Sequence, residues 1–339
     1  MIRPIFLATL SAMSPVVKRL PWKFVFGVNV GSQQEAKAFA PDWAFSTLKR
    51  TGFLPGGIIK TDKGFGLVVG TFHFNEEIKE SSPIAQKILN SVSTYNANKI
   101  ALTGVVPGAL MKHGIFPEHD HRFVTGTIGT LFMLKHNLLE LIQKLPSNEK
   151  PKVAVVGYGY TGKALVHEIE KLNDIEVKIF DNDATIKPTS NSKFYGDDFE
   201  KITDCQIVIL LTVRGDEGVS SIIDYLLPGT LLLSDTHPKI SRKTWALLNS
   251  LSIEGYESAA TITGFKAFPS YPGWNDSTIP GCLIQAFIES QLNQQIHDQE
   301  QFDSACLEYG VKARLDKPYE RTKKKKAPFK IPVISELLS

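Results

Sequence analysis

The chain has 339 residues, of which 42 % are apolar, 22 % charged and 10 % aromatic, and its formal net charge is +3. This composition indicates a globular protein of about two domains and excludes collagen-like and mostly disordered chains. No apolar run approaches the ~20 residues that a membrane-spanning helix needs. Three scattered cysteines are too few for a disulfide framework or a zinc ribbon, so we expect a cytoplasmic protein kept in reducing conditions.

Both ends of the chain are basic. Residues 1–23 contain four basic residues and no acidic one, and residues 314–330 contain eight basic residues against two acidic ones. A basic end can contact an acidic partner or the surface of a membrane, and it is as readily a solvated terminus. We expect a basic surface extension at residues 1–22 and a basic tail at 314–339, with no specific nucleic-acid partner.

The region before residue 146 has a mixed pattern of strands and helices. Apolar runs predict strands at residues 23–30, 56–59, 66–74 and 99–106. Apolar residues at helical spacing predict helices at 83–96 and 126–144. The segment 146–151, which begins and ends with proline, predicts a linker. We therefore interpret residues 23–146 as an α/β substrate domain.

After the linker the apolar runs lose their polar alternation. Strands are predicted at residues 152–156, 176–180, 206–212 and 230–234, with helical stretches between them. Such strands are typical of a parallel sheet that helices cover on both faces. The fold class predicted is therefore α/β, with a doubly wound Rossmann-type domain at 151–280 preceded by a smaller α/β domain. One last helix, from about 281 to 309, is predicted within a segment 281–313 that returns to the cleft.

A glycine-rich turn is the most informative motif. Gly157, Gly159 and Gly162 form G-x-G-x-x-G between a predicted strand and a predicted helix, and Asp181 ends the next strand. In dinucleotide-binding turns, the glycines allow a tight turn, the approach of a pyrophosphate and close packing of helix on strand. The predicted cofactor-binding residues are Gly157, Tyr158, Gly159, Tyr160, Thr161, Gly162, Asp181, Asn182, Thr212 and Val213.

The acidic residue after the second strand bears on the choice of cofactor. A carboxylate at Asp181 accepts hydrogen bonds from ribose hydroxyls and repels a 2′-phosphate. The sequence therefore favours NAD(H) over NADP(H). Lys178 and Lys187 are close enough in sequence to weaken this preference.

Three residues are candidates for catalysis. Cys282 follows Pro280 and Gly281 at a predicted helix start, where the helix dipole stabilises a thiolate, although such a cysteine is often structural. His237 and Lys239 follow a strand end and suit proton transfer, although His237 could equally be a surface imidazole. The other two cysteines, Cys205 and Cys306, are interpreted as core residues.

A histidine pair is the candidate for metal binding. His119 and His121 flank Asp120 on a predicted loop. Alternate residues on an exposed loop rarely complete a metal site without further ligands. We therefore predict no metal.

Four segments follow one another in the order of a known family. They are Phe-Val-Phe-Gly-Val-Asn-Val-Gly-Ser-Gln-Gln-Glu-Ala at 24–36, Arg-Phe-Val-Thr-Gly at 122–126, Leu-Leu-Ser-Asp-Thr-His-Pro-Lys at 232–239, and Gly-Cys-Leu-Ile-Gln-Ala-Phe-Ile-Glu at 281–289. Together they resemble the long-chain acyl-[acyl-carrier-protein] reductases of alkane biosynthesis, collinearly over residues 24–315. The family's fingerprint, Gly-Ala-Thr-Gly-Asp-x-Gly with NADPH, differs from the glycine turn of this chain.

This resemblance implies a function in lipid metabolism. The thiolate of Cys282 would take the acyl group from a fatty acyl thioester of carrier protein or coenzyme A, and nicotinamide hydride would reduce it to a fatty aldehyde. The basic ends would suit an acidic carrier protein. Two alternatives stay open: an amino-acid or shikimate-type dehydrogenase that uses His237 or Lys239 on a small polar substrate, and a non-catalytic NAD(H)-binding sensor module.

Overall fold

The computed structural model describes residues 9–37, 42, 45–146, 150–172, 174–183, 185–186, 188, 192–269 and 278–318. The chain divides into two compact units. Of the described residues, the first unit contains those up to Gly129 and those of Thr261–Lys312. The second unit contains Thr130–Ala260 and the residues from Ala313 onward. Neither unit is therefore one continuous stretch of sequence.

The strands in chain order are β1 (Trp22–Asn29), β2 (Leu54–Thr61), β3 (Gly64–Thr71), β4 (Ala97–Leu102), β5 (Phe123–Val124), β6 (Lys152–Val156), β7 (Glu176–Phe180), β8 (Lys193–Phe194), β9 (Ile207–Leu210), β10 (Leu231–Ser234), β11 (Glu254–Ile262), β12 (Lys266–Phe268) and β13 (Val311–Asp316).

The α-helices are α1 (Ser14–Val17), α2 (Gln33–Ala36), α3 (Phe45–Arg50), α4 (Asn75–Glu80), α5 (Ser82–Ser93), α6 (Val106–Lys112), α7 (Thr127–Ile142), α8 (Tyr160–Glu170), α9 (Gly215–Ile222), α10 (Arg242–Ser250), α11 (Gly281–Leu292) and α12 (Gln299–Glu308). Two short 3₁₀ turns lie at Phe199–Ile202 and Ile223–Tyr225. Within the described part of the chain, no helix has both the length and the apolar character needed to cross a bilayer.

The first unit is built on a sheet of strand order β12-β2-β3-β1-β4-β5. Strands β3, β1, β4 and β5 run parallel, whereas β2 forms an antiparallel hairpin with β3 and β12 pairs antiparallel with β2. Successive side chains of a strand point to opposite faces. Val25 of β1 therefore joins the core that contains Ile88 of α5, and Phe24 contacts Phe287 of α11 with ring centroids 6.2 Å apart.

The second unit is built on a sheet of strand order β13-β11-β10-β9-β6-β7-β8. The six strands from β11 to β8 are parallel, and their order around β6 is that of a Rossmann fold. Val153 and Val155 of β6 belong to one apolar core, and Ala154 and Val156 belong to another, because alternate side chains face opposite layers of helices. The predicted doubly wound Rossmann class is confirmed.

The boundary between the units differs from the predicted linker. It lies inside α7, between Gly129 and Thr130, and the described residues of the predicted linker, 146, 150 and 151, fall within the second unit. Residues 151–280 are predicted as the Rossmann domain, but the described residues 261–269 and 278–280 belong to the first unit. The physical reason is strand pairing, because β12 pairs with β2 and so becomes the edge strand of the first sheet.

The prediction of one last helix over residues 281–309 is wrong. Helix α11 ends at Asn293, whose φ of 53° is left-handed, and α12 starts after Asp298, which accepts a hydrogen bond from the Gln301 amide at 2.8 Å. The chain then forms β13 where the last helical segment and the basic tail were predicted to meet. The strand predicted at 99–106 also ends early, since β4 stops at Leu102 and α6 begins at Val106.

The predicted surface extension at residues 1–22 is wrong for its described part. Leu10 and Val17 are buried in the core of the first unit, and the Trp22 indole donates a hydrogen bond to the Val17 carbonyl at 2.8 Å. Apolar side chains in this segment therefore contribute to folding. Residues 1–8, and the basic tail from residue 319 with its lysine run, lie outside the described residues.

Candidate functional site

The three glycines of the turn between β6 and α8 differ in their steric surroundings. Gly157 has a φ of +103°, and a Cβ there would lie 3.0 Å from the Leu211 carbonyl. A Cβ at Gly162 would lie 2.1 Å from the Gly157 carbonyl oxygen. Gly159, in contrast, has no atom within 4 Å of the position where a Cβ would be. Two glycines thus serve the fold, and the third leaves open space at the turn.

The start of α8 offers uncapped amide groups to that open space. Gly159 is the N-cap of this 11-residue helix, and no side chain caps its first N–H groups. The Tyr160 side chain is 59 % exposed, whereas Tyr158 is buried and packs near the Phe194 ring. Unpaired N–H groups and the positive end of the helix dipole favour a phosphate at this position.

Asp181 is held beside the glycine turn. One carboxylate oxygen, Oδ2, accepts a hydrogen bond from the Tyr158 amide at 2.6 Å, and Oδ1 accepts one from the Asp183 amide at 2.9 Å. The neighbouring Lys178 is buried and forms an ion pair with Asp204. Lys178 is therefore occupied away from this carboxylate, and Lys187 lies outside the described residues.

Thr212 and Val213 lie where β9 ends, beside the glycine turn. The Thr212 amide nitrogen would be 3.3 Å from a Cβ on Gly157, and the Val213 side chain is 45 % exposed. Strand β9 neighbours β6, so both strands end at the same edge of the sheet. The structure thus brings the predicted cofactor residues together at the carboxyl edge, where open α/β sheets bind ligands.

A second group of polar residues follows β10. Lys239 forms an ion pair at 3.8 Å with Glu257 of β11, whose Oε1 also accepts a hydrogen bond from the Trp245 indole at 3.2 Å. Burial raises the pKa of Glu257 to about 7, and Lys239 opposes this shift. Burial also raises the pKa of Asp235 to about 6. His237 is exposed on the same loop.

The sequence analysis missed Glu257. Glu257 lies in a strand among buried Tyr256, Ala259 and Ala260. A carboxylate within such an apolar run is the sequence feature that could have indicated a functional residue here. A lone buried acid in a strand is costly unless it is paired, which points to a nearby cation. The cation is Lys239, which sequence reasoning selected for its position after β10.

Cys282 is the second residue of α11, after the N-cap Pro280. It is half-buried, whereas Gly281 and residues 283–290 are buried. A Cβ on Gly126 would lie 2.5 Å from the Cys282 Cβ, so the start of α11 packs directly against the residue before α7. The first turns of α7 and α11 therefore meet at this thiol, and each presents the positive end of a helix dipole.

The other two cysteines behave as predicted for core residues. Cys205 and Cys306 are buried, and none of the three cysteines forms a disulfide. Burial raises the pKa of Cys205 to about 12 and also raises that of Cys306. A thiolate is the reactive form, so the position of Cys282 is the one that suits a nucleophile.

Polar side chains continue along the carboxyl edge of the first sheet. The Asn29 amide donates to Asn75 Oδ1 at 2.7 Å where β1 ends, and the Thr125 and Thr127 hydroxyls are 2.9 Å apart after β5. Cys282 lies beside this last pair through Gly126. The two hydroxyls thus lie on the residues that flank Gly126, next to the start of α11.

Around the histidine pair of the first unit, Asp120 and His121 are engaged in other contacts. Asp120 forms an ion pair with Arg122 at 2.7 Å, and the ring of His121 lies 3.1 Å from Gln295 Oε1. Among the described residues, no three histidine, cysteine or acidic side chains converge as a metal site would need. His119 and His121 line a groove beside Asn98 and Lys99, near the start of β4.

The predicted catalytic residues are divided between the units. Cys282 belongs to the first unit, whereas His237 and Lys239 belong to the second with all the predicted cofactor residues. Within the first unit, Cys282 lies at the starts of α7 and α11. Within the second unit, Lys239 forms an ion pair with the buried Glu257.

No protein-family model and no curated protein matches the chain. Similar solved structures include L-tryptophan dehydrogenase from Nostoc punctiforme, with 14 % identity over 86 % of this chain and 80 % of that one, at a TM-score of 0.41. Dipicolinate synthase A chain from Bacillus subtilis has 15 % identity over 55 % of this chain and 61 % of that one, at a TM-score of 0.33. An imine reductase from Myxococcus stipitatus has 18 % identity over 34 % of this chain and 42 % of that one, at a TM-score of 0.29. The chain thus covers less than two thirds of the last two proteins.

Proposed function

We propose that this protein is a nicotinamide-dependent oxidoreductase. The observation that carries this proposal is the turn between β6 and α8, in which Gly157 and Gly162 are required by packing and Gly159 leaves open space. The uncapped start of α8 would hold the pyrophosphate, and Asp181 would hold the ribose hydroxyls. Bound nicotinamide nucleotide supplies or accepts a hydride.

NAD(H) is the proposed cofactor. Both oxygens of Asp181 are fixed by backbone amides, so the carboxylate stays at the carboxyl edge of β7 and would repel a 2′-phosphate. Lys178, the nearby cation within the described residues, is paired with Asp204. These contacts support the preference that Asp181 predicted from the sequence.

The proposed reaction is the reduction of an acyl thioester to an aldehyde through Cys282. The Cys282 thiolate attacks the thioester carbonyl carbon, and the carrier's sulfur leaves as a thiol after taking a proton. Hydride transfer to the enzyme-bound acyl carbon then releases the aldehyde and returns the Cys282 thiolate. The half-buried thiol at the first turn of α11 supports this step, together with the family resemblance of residues 24–315.

Intact-protein mass spectrometry tests the acyl-enzyme. Wild-type protein is incubated without nucleotide, in separate arms, with a long-chain acyl-coenzyme A and with the same acyl chain on an acyl carrier protein. We expect one acyl mass on Cys282 and none in Cys282→Ala, while Cys205→Ala serves as the matched control and loads normally. The arm that loads faster identifies the carrier. An unmodified wild type, or full turnover by Cys282→Ala, would reject the acyl-thioester reaction.

A second candidate function rests on the contact between Lys239 and Glu257. An amine paired with a buried carboxyl group of raised pKa is suited to proton transfer on a small polar substrate, as in an amino-acid dehydrogenase. This candidate predicts that Cys282→Ser keeps turnover on a panel of amino and hydroxy acids and that Lys239→Met abolishes it. Cofactor binding without turnover on either substrate class would favour a sensor module.

A further inference from the structure

Helix α11 is buried on all sides, and this leaves its rotation poorly specified by apolar packing. Every residue from 283 to 290 is buried. The apolar members of this set are Leu283, Ile284, Ala286, Phe287 and Ile288. An amphipathic helix is oriented by its single apolar stripe, but a helix that is apolar around most of its circumference has no such signal. Another feature must therefore fix which residue faces the edge of the sheet.

Three polar residues form a stripe along α11. Cys282, Gln285 and Glu289 are spaced i, i+3 and i+7, which places them on one face of a helix. The Gln285 amide donates a hydrogen bond to Glu289 Oε1 at 2.8 Å. Gln285 is 8 % exposed and Glu289 is 0 % exposed, so the stripe below the thiol is fully inside the protein.

The stripe ends on a lysine of the sheet. Lys99 of β4 is 4 % exposed, and its ammonium donates to Glu289 Oε2 at 2.9 Å and to the His121 carbonyl at 2.8 Å. Moving both charges out of water commonly costs as much as their attraction returns. A buried pair of this kind is better explained by the geometry that it selects than by stability, as when one buried polar residue sets the register of a coiled coil.

We propose that the Lys99–Glu289 pair, linked through Gln285, fixes the rotation of α11 about its axis and so presents Cys282 at the carboxyl edge of the sheet. A rotation by one residue, about 100°, would separate Glu289 from Lys99 and leave two unpaired buried charges. Lys99, Gln285 and Glu289 are thus positioning residues for the thiol. The inference rests on the proposed role of Cys282.

The close packing at the first turn makes the thiol sensitive to that rotation. A Cβ on Gly129 would lie 2.5 Å from the Gly281 carbonyl oxygen and 2.7 Å from the Gln285 amide nitrogen. With Gly126 against Cys282, the backbone of α11 therefore has little space to move sideways. A helix that is released from Lys99 can turn in place, and turning changes which side chain reaches solvent.

The test replaces the ion pair by apolar residues of similar length. In the variant Lys99→Met with Glu289→Met, we expect a folded protein whose Cys282 reacts with iodoacetamide about tenfold more slowly or worse at every pH of the profile. The reason is that a thiol needs access to the reagent, and turning α11 moves Cys282 away from solvent. The reversed pair, Lys99→Glu with Glu289→Lys, should recover part of the rate. Lys49→Met with Glu77→Met, which removes another ion pair of the first unit, is the matched control and should react as wild type.

The outcomes separate the inference from the proposed function. Cys282 alkylation within about twofold of wild type in the folded apolar variant overturns the inference. If that variant does not fold, Gln285→Met decides, because it keeps the ion pair and removes only the link: slower alkylation supports the inference, and an unchanged rate overturns it. Iodoacetamide requires no acyl chemistry, so a wild-type protein that takes no acyl group rejects the proposed function without affecting this comparison.

Discussion

Replacing Gly159 by alanine should weaken cofactor binding without disturbing the fold. The φ of Gly159 is −71°, which any residue adopts, and no atom lies within 4 Å of the new Cβ. The free energy of unfolding should therefore stay within about 0.5 kcal/mol of wild type. A pyrophosphate on the start of α8 must approach this same backbone, so the methyl group should weaken NADH binding by at least about tenfold, which is about 1.4 kcal/mol.

Gly162→Ala is the contrasting variant in the same turn. Its Cβ would lie 2.1 Å from the Gly157 carbonyl oxygen, and the obstructing atom is backbone rather than a flexible side chain. Relieving this contact requires a shift of about 1 Å between β6 and α8, and overpacking of that kind typically costs about 1–3 kcal/mol. Gly162→Ala should therefore lose both stability and NADH binding.

Two measurements distinguish the variants. Fluorescence titration gives the Kd for NADH, and hydrogen exchange of the amides in β6 and α8 gives the local stability of the second unit. Wild-type affinity in Gly159→Ala would refute the assignment of the pyrophosphate to this turn. Normal exchange protection in Gly162→Ala would refute the packing role of that glycine.

Three other predictions follow from the pKa values and contacts of single residues. Because burial raises the pKa of Glu257 from 4.5 to about 7, the folded state holds this proton more tightly than the unfolded chain. The free energy of unfolding of wild type, relative to that of Glu257→Gln, should therefore fall by roughly 3 kcal/mol as the pH rises from 4.5 through 7. Urea unfolding at pH 5 and pH 8 measures this change, and equal changes in both proteins would contradict the prediction. Iodoacetamide at pH 8 should label Cys282 in the folded protein before Cys205, whose pKa burial raises to about 12, and peptide mass spectrometry reads the order. Asp181→Asn should weaken NADH binding about tenfold, while NADPH binding changes less. The control Asp183→Asn should leave both affinities unchanged. Equal losses of affinity for the two nucleotides would count against the role of Asp181.

The dinucleotide turn could be predicted because its information is local. The strand, the three glycines and the helix are consecutive in sequence, and the acid follows at the end of the next strand. Steric requirements at Gly157 and Gly162 involve the turn and the adjacent strand β9, which the same sheet pattern predicts. The parallel, doubly wound class of the second sheet follows from the run of buried strands without polar alternation.

The break in the last helix was missed although the sequence carried signals for it. Apolar residues continue at helical spacing on both sides of the break, and this pattern favours one continuous helix. Asn293 takes the left-handed conformation that asparagine tolerates, and Asp298 caps the amide of Gln301. The cap residues Asn293 and Asp298 therefore indicate two helices where the apolar periodicity indicates one.

The buried polar contacts could not be predicted from one sequence. Lys99 and Glu289 are 190 residues apart, and neither stands in a recognisable motif. Glu257 likewise has partners on a loop and on α10 that only the folded sheet brings close. Pairing between distant charges depends on which strands and helices become neighbours, and periodicity within each element does not contain that information.

Because residues of 261–312 belong to the first unit, this unit cannot finish folding until late in protein synthesis. The β1–β4 face that α11 covers, which includes Phe24, consists of residues that are translated long before α11. At about 5–20 residues per second, the interval between residue 129 and residue 292 lasts roughly 8–30 s. Throughout that time a nascent chain displays an uncovered apolar sheet, while the intervening Rossmann unit can already fold. Chaperone binding to stalled nascent chains should therefore decline only once residue 292 has cleared the exit tunnel.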